Sequence, residues 1–389
     1  MTVNANLCAL HGSYLFSETA ARVAAFSQEN PGKTLLRLGI GDVTLPVADA
    51  VVRALCAAAE EMGRPDGVHG YAPTAGYPFA IEAVRNGYYA PMGVDVAAED
   101  IFISDGAKPD TAGAQELLSP GAVVAVCDPV YPVYADSNAM AGRRVVYLPC
   151  RAKDGFAPPL PRERVDAVYL CSPNNPTGMA LSRDALAAWV DYARREDVLL
   201  LFDAAYSAYV AARDTPRSLF QIPGAQEVGV EFGSLSKSAG FTGLRCGWTV
   251  VPSANRWGLR RLWARRMATK TNGVAYPVQR AAEAALSPEG LAQSQQSVRY
   301  YQENARLLGE ALRRSGYVVF GGADAPYLWV RCPEGLDGWG WFDRLLRQAQ
   351  IVCTPGEGFG RCGAGYVRFC AFGRRDEIRE AAERLGMNA

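Results

Sequence analysis

At 389 residues and 49% hydrophobic, the chain is long enough for a large core and too long for one simple layer, which predicts one big domain with a smaller one beside it. Its 40 Lys and Arg balance 40 Asp and Glu, which argues against a nucleic-acid partner and against a charged tail. Its 10 cysteines form no CxxC pair and its only histidines are His11 and His69, which argues against a disulfide framework or a zinc site and for a reducing compartment, the cytoplasm. The first residues lack a basic region followed by an apolar core, so no signal peptide is expected. No apolar run approaches the ~20 residues of a membrane-spanning helix, so no membrane partner is expected.

In chain order, Ser17–Asn30 has a helical pattern. Short apolar runs then alternate with helical stretches. Strands are expected at Ile101–Ser104, Val123–Cys127, Arg144–Leu148, Ala167–Cys171, Val198–Phe202, Val228–Ser234 and Gly247–Val251, nearly continuous in their apolar character, as in strands covered on both faces. The helix at Arg183–Arg195 carries Leu186, Trp189, Val190 and Ala193 on one face, with Ser182 placed to cap it. Strand and helix in repetition predict an α/β fold with a mostly parallel seven-stranded sheet. After about residue 285 the pattern becomes α+β. A long helix at Pro288–Ser315 precedes strands near Val318–Phe320, Tyr327–Val330 and Gly365–Phe369, and helices near Trp339–Gln348 and Arg375–Leu385. The expected division is a large domain of residues 40–285 and a discontinuous small one of residues 1–39 and 286–389.

The chemistry should lie in the loops at the carboxyl ends of the strands. Ser104-Asp105-Gly106-Ala107-Lys108 joins a strand to a helix, where backbone N–H groups favour a phosphate. Tyr131, in Asp128-Pro129-Val130-Tyr131, can stack on a flat ring or simply fill a core. Ser172-Pro173-Asn174-Asn175-Pro176-Thr177-Gly178 is a tight turn whose Asn amide can bond a phenolic oxygen, or a rigid loop with no ligand. Asp203 ends an apolar strand. A carboxylate there either caps a helix or pairs with a protonated pyridine nitrogen, an arrangement recognised for pyridoxal phosphate. Lys237, in Ser234-Leu235-Ser236-Lys237-Ser238-Ala239-Gly240, is an amine able to form a Schiff base with an aldehyde. Ser234, Ser236 and the forked guanidinium of Arg245 can hold a phosphate beside it. Arg368, within an apolar strand, needs an anion, either a substrate carboxylate or a buried acid.

Taken together, SPNNPTG, the strand ending in Asp203, SxSK, Arg245 and the late Arg368 resemble the fold-type-I pyridoxal-phosphate aminotransferases over nearly the whole chain. Leu38–Asp42 (LGIGD), Ser104–Lys108 (SDGAK), Asp128–Tyr134, Phe202–Ser207, Ala239–Pro252, Ala325–Val330, Thr354–Gly360 and Tyr366–Gly373 resemble, more narrowly, the LL-diaminopimelate aminotransferase family. That family moves an amino group between glutamate and tetrahydrodipicolinate on a route to lysine. The resemblance implies pyridoxal 5′-phosphate as cofactor, an amino acid and a 2-oxo acid as substrates, and a homodimer with shared active sites. It implies that Lys237 holds the cofactor and shuttles a proton. Asp203 meets the pyridine nitrogen, Asn175 and Tyr206 the phenolic oxygen, and Tyr131 the ring. Ala107, Lys108, Ser234, Ser236 and Arg245 surround the phosphate, with Tyr71 from the partner subunit. Arg368 and Asn175 bind the substrate α-carboxylate. Tyr14, Gly41, Lys108, Thr74 and Asn272 belong to the substrate site, with Asn272 coming from the partner.

One position departs from the family. Thr74 stands where an acidic residue usually reaches the distal amino group of diaminopimelate. The loss of a charge-assisted bond, worth roughly 1.5–3 kcal/mol, implies as an alternative an aminotransferase of different or broader substrate range. A lyase on the same scaffold is a further alternative. So is an effector-sensing domain, which is expected to follow a DNA-binding module, whereas family motifs begin here at Tyr14.

Overall fold

The computed structural model describes residues 3–10 and 15–387. Apolar runs from the middle of the chain become a seven-stranded sheet: β1 (Ile101–Ser104), β2 (Val123–Asp128), β3 (Arg144–Pro149), β4 (Ala167–Cys171), β5 (Leu199–Asp203), β6 (Gly229–Ser234) and β7 (Gly247–Val250). Its spatial order is β1-β7-β6-β5-β4-β2-β3. The pairs β2–β3, β2–β4, β4–β5 and β5–β6 are parallel. β7 runs antiparallel to both its neighbours, β1 and β6. Every residue of β1, β4, β5, β6 and β7 is buried, as two-sided coverage of the sheet requires.

The helices that bear on the site and its support are α1 (Leu15–Glu29), α2 (Asp49–Met62), α3 (Ala107–Gly113), α4 (Val133–Met140), α5 (Arg183–Glu196), α6 (Tyr276–Leu286), α7 (Pro288–Arg314) and α8 (Arg375–Met387). The start of α5 is set by Ser182, whose Oγ accepts from the Ala185 N–H at 3.2 Å, satisfying a donor that the first turn leaves free. Leu186, Trp189, Val190 and Ala193 form its buried face. α7 begins the same way, with Ser287 Oγ accepting from the Gly290 N–H and Pro288 in the first helical position, where a missing N–H costs nothing.

Beyond α7 a four-stranded antiparallel sheet is built from β8 (Val319–Gly321), β9 (Tyr327–Arg331), β10 (Thr354–Pro355) and β11 (Tyr366–Cys370), in the order β10-β11-β9-β8. The single helix expected at Trp339–Gln348 is instead an α-helical Gly338–Arg344 followed by a wider π turn, Leu345–Ala349. That turn keeps Leu345, Leu346 and Ala349 all buried, and left-handed Gln350 ends it. Three hydrophobic clusters result among the described residues, the smallest gathering Tyr206, Tyr209, Tyr301, Tyr327 and Phe372. One of the larger two surrounds the large sheet. The other joins Val23 and Phe26 of α1 and Leu36 and Leu38 to residues from Ala305 to Leu385. Leu36–Arg37 pairs in parallel with Ile351–Val352, a two-residue bridge too short to leave a periodic signal in the sequence.

Glu231, in the middle of β6, is fully buried. Ser218 O–H and the Leu219 N–H donate to Oε2 at 2.8 and 2.7 Å, and Tyr89 O–H donates to Oε1 at 3.0 Å. Burial nevertheless pushes this carboxyl up from 4.5 to about 7. The folded chain therefore keeps a proton that the unfolded chain releases, so stability is full below about pH 4.5 and falls as pH rises through about 7. In Glu231→Gln that contribution should vanish, seen as urea midpoints that decline less steeply than in wild type between these pH values, the remainder coming from groups such as Asp110, which burial raises to about 6.

Candidate active site

β1, β2, β4, β5 and β6 run in one direction, so their carboxyl ends open on one edge of the sheet. There lies a cavity of about 370 Å³, within the size of small-molecule sites. Each strand end delivers a side chain to it: Ala107 and Lys108 after β1, Tyr131 and Tyr134 after β2, Asn175 after β4, Asp203 at the end of β5, and Ser234, Ser236 and Lys237 at the end of β6. Gly41, Tyr206, Arg245 and Arg368 complete the set from other parts of the chain.

Lys237 closes a short helix, Leu235–Ser238, whose first N–H groups are capped by Ser234: its Oγ accepts from the Ser236 N–H at 3.1 Å. The Lys237 ammonium donates to the Gly41 carbonyl. Burial lowers its pKa, opposed by nearby Cys370 and Asp42 and reinforced by Arg368 and Arg245. A lysine so placed exposes a neutral amine more readily than a solvated one, which is what a nucleophile or a proton carrier requires.

Asp203 is buried. Tyr134 O–H donates to its Oδ2 at 2.6 Å and the Ala205 N–H to its Oδ1 at 3.0 Å. Burial still raises its pKa above the ordinary carboxylate value, against the pull of those two donors. Such a carboxylate gains most from a cation brought into the cavity.

At one end of the cavity Arg245 adopts left-handed backbone, φ 64°, and its Nη1 donates to Ser236 Oγ at 3.3 Å and to the Thr242 carbonyl at 3.1 Å. The same guanidinium lies against Gly106, where a Cβ would come within 2.5 Å of a terminal nitrogen and where φ is +124°. The positive φ favours glycine at this turn, and the lack of a side chain leaves room for the guanidinium. Ser234, Ser236, Arg245, Ala107 and Lys108 thus surround one small space with hydroxyls and cations.

On the opposite wall Arg368 is 1% exposed, a guanidinium held almost wholly out of water. It donates to Asn175 Oδ1 and to the Gly39 carbonyl, each at 2.6 Å, and lies over the rings of Tyr327 and Phe359 at 4.6 and 4.9 Å. These contacts hold the guanidinium at the wall of the cavity that it lines, where its planar fork is suited to a carboxylate. With Asn175 Oδ1 engaged, the amide N–H donors of Asn175 remain for the cavity that it lines.

The cavity does not collect every residue singled out in the sequence. Tyr71, Thr74 and Asn272 are exposed and do not line it. The two loops that carry them nevertheless meet, since a Cβ on Gly273 would lie 2.8 Å from the Ala72 Cβ. Tyr14 lies outside the described residues. Conversely, Tyr134, Tyr327, Asp42 and Thr242 line the cavity without having been singled out. Tyr134 could have been found from its position three residues after Tyr131 at the start of α4. Tyr327 sits in an apolar strand and reads there as core.

The family description "Aminotransferase class I and II" matches residues 33–385. The chain belongs to this family. It is 47% identical to an LL-diaminopimelate aminotransferase of Bacteroides fragilis, with 98% of each sequence covered. The L,L-diaminopimelate aminotransferase structure from Chlamydomonas reinhardtii is 39% identical, with a TM-score of 0.94, and the match covers 100% of this chain and 98% of that one. A Thermus thermophilus aspartate aminotransferase double mutant matches at TM-score 0.89 and 23% identity over 100% of both chains, a likeness of fold alone. The fold is thus the fold-type-I α/β architecture expected from the sequence, and this aminotransferase, like its class, depends on pyridoxal phosphate.

The cavity of the aminotransferase suits that cofactor on its own chemistry. A buried carboxylate whose pKa is raised by burial can face the pyridine nitrogen. Hydroxyls, a guanidinium and Lys108 can take a phosphate, and a buried amine between the two can reach an aldehyde. No helix among the described residues is long and apolar enough to cross a membrane.

Proposed function

We propose that this aminotransferase transfers an amino group between LL-2,6-diaminopimelate and 2-oxoglutarate, or, in the biosynthetic direction, from glutamate to tetrahydrodipicolinate in lysine formation. The observation that carries the substrate is the 47% identity to an LL-diaminopimelate aminotransferase across 98% of both sequences. The chemistry rests on the cavity. When bound, pyridoxal phosphate supplies an electron-accepting ring that stabilises negative charge at the substrate Cα.

The chain's own residues do the rest. Lys237 Nζ, freed by its lowered pKa, takes the Cα proton and returns it. Asp203 keeps a proton on the pyridine nitrogen. Tyr206 and Asn175 donate to the phenolic oxygen, and Tyr131 covers the ring face. Ser234, Ser236, Arg245, Ala107 and Lys108 hold the phosphate. Arg368 binds the α-carboxylate in a fork, with Asn175 beside it, while Gly41 borders the substrate and Lys108 faces its distal end.

The two meeting loops that carry the exposed Tyr71, Thr74 and Asn272 support a homodimer in which each chain offers these residues to its partner's cavity. The separate core that joins α1 to the C-terminal third supports a large domain of residues 40–285 and a small one of residues 1–39 and 286–389. All 10 cysteines are free, in keeping with a cytoplasmic enzyme.

The test mixes the pyridoxal-loaded protein with LL-diaminopimelate, meso-diaminopimelate, glutamate, aspartate and ornithine in turn, following the visible absorbance. Rapid change with LL-diaminopimelate and glutamate, and slow or no change with the others, is the expected result. Reaction with the other amino acids alone would overturn the substrate and make Thr74 the mark of a different specificity.

A further inference from the structure

We propose that Tyr327 is a positioning residue that aims and polarises the Tyr206 hydroxyl toward the cofactor's phenolic oxygen, through the contact between the two tyrosine hydroxyls. The inference rests on the placement of Tyr206 proposed above. The two residues come from different sheets. Tyr206 follows β5 of the large sheet, and Tyr327 opens β9 of the small one. Their hydroxyl oxygens lie 2.6 Å apart, and their rings meet edge to face at 5.1 Å. Both line the cavity.

The proton count gives the pair a direction. Each phenol has one hydrogen to donate. If Tyr206 spent its hydrogen on Tyr327, none would remain for an acceptor in the cavity. A negatively charged phenolic oxygen there draws the Tyr206 hydrogen to itself, and Tyr327 then donates to the Tyr206 oxygen. Two donors in series point at the anion, and each strengthens the next. Burial pushes both phenols well above their ordinary pKa, so both remain protonated donors throughout the neutral range.

Tyr327 is also fixed in place. It is 1% exposed. The Arg368 guanidinium lies 4.6 Å from its ring centre, and Phe372 meets its ring near edge-on at 6.0 Å. Gly41 closes the hydroxyl end: a Cβ there would come within 2.3 Å of the Tyr327 oxygen. A side chain at 41 would therefore crowd the Tyr327 hydroxyl. The Gly41 carbonyl accepts from Lys237, so one backbone residue spaces Tyr327 from the reacting amine.

The test is a pH titration of the visible absorbance of the pyridoxal-loaded protein in wild type, Tyr206→Phe, Tyr327→Phe and the double variant. A donor to an anionic oxygen lowers that oxygen's proton affinity, so losing or weakening it raises the titration midpoint. Tyr206→Phe should raise it by about one unit and Tyr327→Phe by about half a unit. The double variant should match Tyr206→Phe alone, because Tyr327 acts only through Tyr206. An unshifted midpoint in Tyr327→Phe, or an equal further shift when it is added to Tyr206→Phe, would overturn the inference while leaving Tyr206 in place. An unshifted Tyr206→Phe would overturn the placement of Tyr206 and the inference with it. Both rings are retained in these variants, and unchanged far-UV circular dichroism checks the fold.

Discussion

Lys237→Ala should abolish transamination, lowering kcat by at least about 10⁴-fold, while the protein stays folded and still takes up pyridoxal phosphate. The lysine side chain supports no core. Its amine bonds only to the Gly41 carbonyl among the contacts described, and its setting is made by the Ser234 cap and the Tyr209 hydroxyl, which donates to the Lys237 carbonyl at 2.9 Å. These contacts survive truncation at Cβ, apart from the one to Gly41. Borohydride reduction adds a second readout. In wild type it should fix the cofactor to the peptide containing Lys237, seen as a mass increase, and in the variant no peptide should gain that mass. Turnover near the wild-type rate would refute the assignment of the amine.

Arg368→Gln should lower kcat/KM for both the amino acid and the oxo acid by roughly 30- to 1000-fold, the equivalent of about 2–4 kcal/mol for a buried charge-assisted pair. Both half-reactions should suffer alike, because both substrates carry an α-carboxylate. Arg368→Lys keeps the charge but not the fork that bonds Asn175 and Gly39 together, so it should fall between the two. Steady-state kinetics on both substrates, with cofactor absorbance as the control for an intact cavity, decides the matter. A loss confined to one substrate would place Arg368 away from the shared carboxylate.

Apolar runs made the strands visible in the sequence, and did so even for β3, most of whose residues are exposed or half-buried. β1 and β4 have the expected limits, and β2, β3, β5, β6 and β7 differ by a residue or so at their ends, because an unbroken apolar run has few places to stop. Ser182 was visible as a cap because a hydroxyl before an amphipathic run has a local purpose. What escaped notice depends on long-range contact. The reversal of β7 needs knowledge of its neighbours. The two-residue bridge at Leu36–Arg37 has no period to detect. Asp203 was conspicuous because a carboxylate does not belong at the end of an apolar strand. Tyr134, which bonds to it, was not, since a tyrosine fits a core equally well. Tyr327 was hidden for the same reason: only the meeting of two sheets shows that its hydroxyl has a neighbour.

The bridge between Leu36–Arg37 and Ile351–Val352 also bears on how the protein is made. A chain emerges from the ribosome at roughly 5–20 residues per second, so α1 appears tens of seconds at most before its partners. Until then Val23, Phe26, Leu36 and Leu38 have no core to enter. The large sheet, complete by Val250, has all its strands much earlier. The Leu38 carbonyl waits for the Cys370 N–H, which it accepts at 2.7 Å, and the Gly39 carbonyl waits for Arg368. Val23, Phe26, Leu36 and Leu38 therefore wait for most of synthesis for the residues from Ala305 onward that bury them. Arg368, on the wall of the cavity, is thus made more than a hundred residues after the large sheet's last strand.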